Sequence, residues 1–174
     1  MKNKINKMIL LYYMGSVVGY IYEVIYCLIV KNKLSNRGIL YGPWLPIYGI
    51  GFSILSLIYP YRKKYIKVLL SAFVGMSTLE YLIGLLSYKL LHKRYWDYRD
   101  EVFNIDGFIC LKSIIFFTIG GVLFIYIVYP FYLKLYRRMD KKKVLRVNSV
   151  FSILLISDII GCKCQYFFGQ KCQF

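Results

Sequence analysis

Five stretches of apolar residues, separated by short segments rich in lysine, arginine, glycine and aspartate, divide the chain almost from end to end. They run from Met8 to Val30, Trp44 to Tyr59, Tyr65 to Leu91, Ile109 to Leu133 and Val144 to Gly161. Each approaches the ~20 residues that a helix needs to cross ~30 Å of hydrocarbon. The pattern predicts an all-α fold, a polytopic transmembrane helical bundle of about five spans over 8–30, 44–59, 65–91, 109–133 and 144–161. No soluble insert of domain size interrupts it, so residues 1–174 read as a single integral membrane domain. The first run exceeds the ~7–15 apolar residues of a secretory signal and no small-residue cleavage pattern follows it, which makes it a retained anchor.

One lead-in breaks the helical pattern. Residues 36–49 read N-R-G-I-L-Y-G-P-W-L-P-I-Y-G, with Gly38, Gly42 and Gly49 interleaved with Pro43 and Pro46. Proline removes a backbone donor and glycine admits left-handed dihedrals, so a regular helix cannot start here. Irregular backbone at membrane depth persists only where protein buries it or a wet cavity borders it. The second span therefore begins as a re-entrant or broken helix. Tyr41, Trp44 and Tyr48 also suit an interfacial aromatic belt.

Composition agrees with lipid as the surrounding phase: 59% of residues are hydrophobic and the mean hydropathy is +0.52. The 24 Lys and Arg against 8 Asp and Glu would suggest nucleic acid in a soluble domain. Here they fall mainly between the apolar runs, where they set topology, so the expected partner is the lipid bilayer and no nucleic acid. More of them lie in the amino-terminal segment (Lys2, Lys4, Lys7), the second loop (Arg62, Lys63, Lys64, Lys67) and the fourth (Lys134 to Arg146) than in the first loop, third loop and tail. The positive-inside rule then places the amino terminus in the cytoplasm and the carboxyl terminus outside.

Against this background three acids stand out. Glu23, Glu80 and Asp158 each sit within an uncharged apolar run, where a carboxylate costs at least ~2.5–3.5 kcal/mol and so turns toward a partner or a cavity. Gly15, Gly19 and Glu23 share one helical face, the two glycines at the spacing that lets backbones approach closely. Ser77, Glu80, Gly84 and Ser87 repeat the arrangement in the third run, and the two faces are expected to match one another. Glu23 lies roughly 12 Å from Lys31 and Glu80 roughly 13 Å from Lys89 along their helices, at similar depth beneath the outer surface. Asp158 is shallower and also reads as an acid reaching headgroups.

The third loop, 92–111, mixes Trp96, Asp97, Tyr98 and Asn104 with Arg94 and Arg99 and could cap a cavity. It holds the single histidine, His92, with no serine or cysteine nucleophile pattern beside it, so a solvated loop histidine is the better reading and no catalytic residue is assigned. Cys162, Cys164 and Cys172 match no metal spacing; an outward tail would permit a Cys164–Cys172 disulfide, and free thiols fit equally. No cofactor is expected. The G-x-x-x-x-G-K-[ST] phosphate loop is missing, so any nucleotide hydrolysis belongs to another chain.

Gly19, Glu23, Asn36-Arg37-Gly38, Tyr41-Gly42-Pro43, Pro46-Ile47-Tyr48-Gly49, Glu80-Tyr81, Trp96-Asp97-Tyr98, Asn104 and Gly107 together resemble the bacterial family labelled putative ABC-transporter permease, type IV. The likeness runs from about Gly19 to Leu111, with weaker echoes to Asp158. It implies a small multi-pass protein of the bacterial plasma membrane, acting as a permease subunit beside a separate cytoplasmic ATPase and in a homo- or hetero-oligomer. Leu45 and Phe108 stand where many members carry cysteine and arginine, and the tail after Asp158 is unlike the family.

The expected function is transport, not enzymatic, with Glu23, Arg37, Tyr41, Glu80, Trp96, Asp97, Tyr98 and Asn104 lining a polar pocket on the extracytoplasmic side. Gly15, Gly19, Gly38, Gly42, Pro43, Pro46 and Gly49 shape the backbone around it. The alternatives are a membrane-embedded enzyme for an extracytoplasmic lipid-linked substrate, which would need no ATPase, and a scaffold whose acids only specify packing. The orientation has a direct check. Cysteines introduced at Ser35 and Asp100 should react with an impermeant maleimide added to intact cells, whereas one at Lys64 should react only after the cells are opened.

Overall fold

In the computed structural model, which describes residues 2–32 and 40–167, the regular elements are helices; the one β-type pairing among these residues is a single bridge between Ile105 and Ile109. In chain order they are α1 (Lys2–Lys31), α2 (Pro46–Ser56), a 3-10 turn (Tyr59–Tyr61), α3 (Tyr65–Leu91), α4 (Leu111–Leu123), a π-helical turn (Phe124–Val128), α5 (Tyr129–Arg138) and α6 (Lys141–Phe167). Lys4–Ile29, Tyr65–Leu90, Leu111–Arg138 and Lys141–Cys162 are long and apolar enough to cross a membrane. α2 is apolar but only 11 residues long. The chain is thus an all-helical membrane bundle of about five spans.

Local chemistry sets several of the boundaries. Pro46 opens α2, where its missing N–H would be unbonded in any case. α4 and α5 form one continuous rod whose π-helical turn ends two residues before Pro130, a residue that cannot donate to the Tyr126 carbonyl and would clash with it in a regular helix. At the start of α4, Cys110 and Ser113 cap each other: the thiol accepts from the Ser113 amide at 3.4 Å and the Ser113 hydroxyl accepts from the Cys110 amide at 3.1 Å. α3 ends where His92 takes a left-handed φ of 50° and donates its amide to the Tyr88 carbonyl.

Contacts divide the chain into two compact units, Met1–Ile50 with Arg138–Phe174, and Gly51–Arg137. In the first, α1 packs on α6. The Asn148 side chain donates to the Asn6 carbonyl at 2.9 Å and the Tyr13 hydroxyl pairs with Ser152 at 2.7 Å. Both helices ascend together through these contacts, so they run parallel. Parallel spans require an odd number of crossings between them. α3 and the α4–α5 rod supply two, and the segment containing α2 must supply the third.

α2 manages this crossing in spite of its length because it starts halfway. The Leu45 amide donates to the Ser16 carbonyl at 2.9 Å, and Ser16 lies near the middle of the Lys4–Ile29 span. From there the chain runs antiparallel to α1: Tyr48 lies over Gly19 and Gly49 against Tyr12 and Ser16. Eleven helical residues cover roughly 16 Å. Residues 40–45 before them are non-helical: 40–43 bend, and the Trp44 amide closes a tight turn on the Gly42 carbonyl at 2.8 Å. The chain thus enters α2 through an irregular segment, which is the broken start expected from the prolines and glycines.

In the second unit α3 and α4 are antiparallel, Glu80 meeting Ser113 near one end and Ala72 facing Gly121 near the other. Leu55, Val68, Ala72, Phe124 and Ile125 are all but fully buried there, and Phe52 stacks on Phe124 with ring centroids 4.3 Å apart. The small-residue faces of the first and third runs, expected to match one another, each have a different neighbour: Gly19 receives Tyr48 and Gly84 receives Phe108. Bulky aromatics fill the hollows that the glycines leave.

Glycine substitutions should separate the close contacts from the open ones. A Cβ on Gly19 would overlap the Tyr48 ring, whereas one on Gly75 or Gly120 meets nothing within 4 Å. Gly19→Leu is expected to lower thermal stability in mild detergent by at least about 1–3 kcal/mol equivalent. Gly75→Ala and Gly120→Ala should be neutral or slightly stabilising, by up to about 1 kcal/mol. Heating followed by size-exclusion detection of the intact protein measures both.

Candidate functional site

The first unit collects polar groups where α2 begins. Backbone amides in a bilayer cannot turn to water, so each N–H of this irregular segment needs a partner. Tyr41 and Gly42 donate theirs to the two carboxylate oxygens of Asp158, at 2.9 and 2.8 Å. The Trp44 indole reaches the same carboxylate at 2.7 Å, and the Cys162 thiol approaches it at 3.8 Å. The Trp44 amide bonds to the Gly42 carbonyl and the Leu45 amide to that of Ser16. Pro43 and Pro46 have no N–H. All backbone donors from Tyr41 to Pro46 are thereby accounted for. Leu40, Trp44 and Cys162, with Val17, Phe151 and Leu155, form the apolar packing around the segment.

One turn further along α1, Glu23 is half-buried and accepts a hydrogen bond from the Tyr48 hydroxyl at 2.6 Å. Gly19 makes this possible, because the Tyr48 ring occupies the space where its side chain would stand. Tyr22 lies 6.2 Å from Tyr48 between centroids. Gly15 is buried on the same helix, and Gly49 is buried against Tyr12 and Ser16. Tyr41 is exposed, its side chain reaching out from the segment that its amide secures.

In the second unit Glu80 is buried, and the Ser113 hydroxyl donates to it at 3.0 Å. The loop from His92 to Cys110 sits at this end of α3 and α4 and is held by its own polar groups. The Trp96 indole donates to the Phe108 carbonyl at 2.8 Å, and the Tyr98 amide to that of Gly107 at 2.9 Å. The Asn104 side-chain amide donates to the Arg99 and Glu101 carbonyls, both at 3.0 Å, and its oxygen accepts from the Gly107 amide at 3.3 Å. Gly107, at φ +71°, leaves no room for a side chain among Arg99, Asp97 and Arg94. Tyr81 ties the loop to α3 by donating to Asp106 at 2.8 Å. Arg94 lies over the rings of Tyr88 and Phe108 and donates to the Asp106 carbonyl.

Asp97 is gripped by Arg99, whose Nε donates to both carboxylate oxygens at 2.9 Å. The hydrogen bonds from Arg99 hold this carboxyl below its ordinary value of 3.8, with the nearby Arg94 charge adding to the effect.

Of the residues singled out in the sequence, Glu23, Tyr41, Gly15, Gly19, Gly42, Pro43, Pro46 and Gly49 belong to the first unit. Glu80, Trp96, Asp97, Tyr98 and Asn104 belong to the second. Arg37 and Gly38, like the Cys172 end of the suggested disulfide, lie outside the described residues. Sequence reasoning did not find the partners: Asp158 for the irregular segment before α2, Tyr48 for Glu23, Ser113 for Glu80, and Arg94 with Asp106 in the loop. The signal for Asp158 was available, since an irregular segment with free amides at membrane depth calls for an anion or carbonyl to receive them.

These features define an integral membrane protein with hydrogen-bonded carboxylates and a broken helix inside its spans. The chain belongs to the family described as Putative ABC-transporter type IV, whose pattern it matches over residues 10–162. That range reaches from the first span past Asp158 to Cys162, well beyond the segment that carries the motif likeness. No curated protein and no solved structure matches the chain.

Two outcomes test this geometry. Asp158→Ala strands the Tyr41 and Gly42 amides, and the Trp44 environment should open, seen as a red-shifted and more quenchable emission relative to wild type. Because the folded Asp97 carboxyl is depressed, its contribution is complete above the ordinary carboxylate value and disappears as pH falls through the lower folded value. Amide-exchange protection at Asp97 and Arg99 should therefore be unchanged from pH 8 to 5 and weaken below about pH 4, a weakening that Asp97→Asn should bring on already at neutral pH.

Proposed function

We propose that the protein is the membrane-spanning permease subunit of an ABC-type transporter in the bacterial plasma membrane, with its amino terminus in the cytoplasm. The observation that carries this reading is the bent, non-helical segment 40–45 that leads into the short apolar helix α2. Transporters repeatedly form solute sites where a span is discontinuous. In the first unit, taken by itself, Glu23 and Tyr41 are the candidate solute-binding residues. In the second unit, taken by itself, they are Glu80, Trp96, Asp97, Tyr98 and Asn104. Within each unit, the hydrogen bonds from Tyr48 and Ser113 hold the carboxylates in defined positions.

The energy source is a separate cytoplasmic ATPase, recruited through the cationic segments Arg62 to Lys67 and Lys134 to Arg146. A scaffold reading draws support from the extent to which Asp158 and the 92–110 loop bond internally. Glu23→Gln separates the two. It keeps an acceptor for Tyr48 but removes the charge, so a transport role predicts normal abundance with uptake or efflux reduced by an order of magnitude or more. Unchanged transport in a vesicle assay, or failure of any nucleotide-hydrolysing chain to co-purify from mild detergent, would overturn the permease assignment.

A further inference from the structure

The loop between α3 and α4 turns many of its polar groups inward and several of its apolar side chains outward. Phe103 is 77% exposed, Val102 69% and Ile105 53%. Phe103 also holds a φ of +52°, a conformation that a bulky residue rarely adopts and that persists only where its surroundings enforce it. The enforcement is visible: Asn104, the next residue, is clamped by its bonds to Arg99, Glu101 and Gly107. A loop so firmly tied does not display three apolar side chains to water without cost, since contiguous exposed apolar surface marks a site of contact.

Its position indicates the occupant. The Leu111 amide reaches the Val102 carbonyl at 3.5 Å, so the tip lies beside the first residue of α4. Leu111, Ile115 and Ile119 are exposed at four-residue spacing on one face of that helix. That stripe is the kind of surface a membrane span presents to acyl chains. The tip extends the stripe past the end of the helix to the depth where hydrocarbon gives way to headgroups. Lys112, paired with Glu101 at 3.6 Å, sets a cation at the same level, as expected of an interfacial segment.

We propose that Val102, Phe103 and Ile105 form a membrane anchor that inserts into the leaflet bordering this end of α3 and α4, fixing the depth of that hairpin in the bilayer. The occupant is lipid, and the proposal is independent of what the protein transports.

The experiment places a reporter at the tip. The full chain carrying Phe103→Trp is reconstituted in vesicles of phosphatidylcholine and phosphatidylglycerol with brominated acyl chains, and its emission is compared with that of wild type, which supplies the Trp44 and Trp96 background. Ile105→Trp serves as a second reporter, chosen in case the first variant melts differently from wild type. Insertion predicts that the added emission is blue-shifted, loses most of its intensity to brominated lipid and is protected from aqueous iodide. Quenching by iodide and not by brominated lipid overturns the proposal. Protection from both quenchers also overturns it, and assigns the tip to a protein contact instead.

Discussion

A backbone amide in hydrocarbon must be bonded within the protein, and this requirement explains the least regular part of the molecule. Leaving several such groups unpaired costs a few kcal/mol each, enough to forbid an irregular stretch within the membrane unless its donors are received. Here a single carboxylate, Asp158, takes two amides and an indole. Proline removes two further donors, and the remaining amides find nearby carbonyls. The acid that looks expensive in an apolar helix is what makes the broken crossing affordable.

The same logic accounts for the other two acids. Glu23 and Glu80 each receive a hydroxyl from a neighbouring element, Tyr48 on α2 and Ser113 on α4. Each contact also depends on a small or specially placed residue. Gly19 admits the Tyr48 ring, and the Cys110–Ser113 cap turns the serine hydroxyl toward the start of α4, where it lies beside Glu80. Charge burial, glycine placement and helix capping are therefore parts of one packing solution in each unit.

Much of the architecture was legible because lipid imposes simple rules. Apolar length gave four of the spans, and proline with glycine gave the broken start of the second. What could not be seen was pairing at long range. The partners of Asp158 were not legible because they lie more than a hundred residues earlier and two of them are backbone amides, which carry no sequence signature. The glycine faces were recognisable as contact surfaces, yet glycine spacing does not say whether a helix or a single aromatic ring will fill the space. In the third loop, Trp96, Asp97 and Asn104 stood out by type, but their bonds within the loop follow from left-handed turns at Phe103, Asp106 and Gly107, of which only the glycine was suggestive.

The distance in sequence between the Tyr41 amide and Asp158, 117 positions, also bears on biosynthesis. The second crossing leaves the ribosome long before its acceptor does, by on the order of ten seconds at ordinary elongation rates. Until α6 is delivered, those amides have to be solvated by water or sheltered by the insertion machinery, so completion of the early crossing waits on the synthesis of α6.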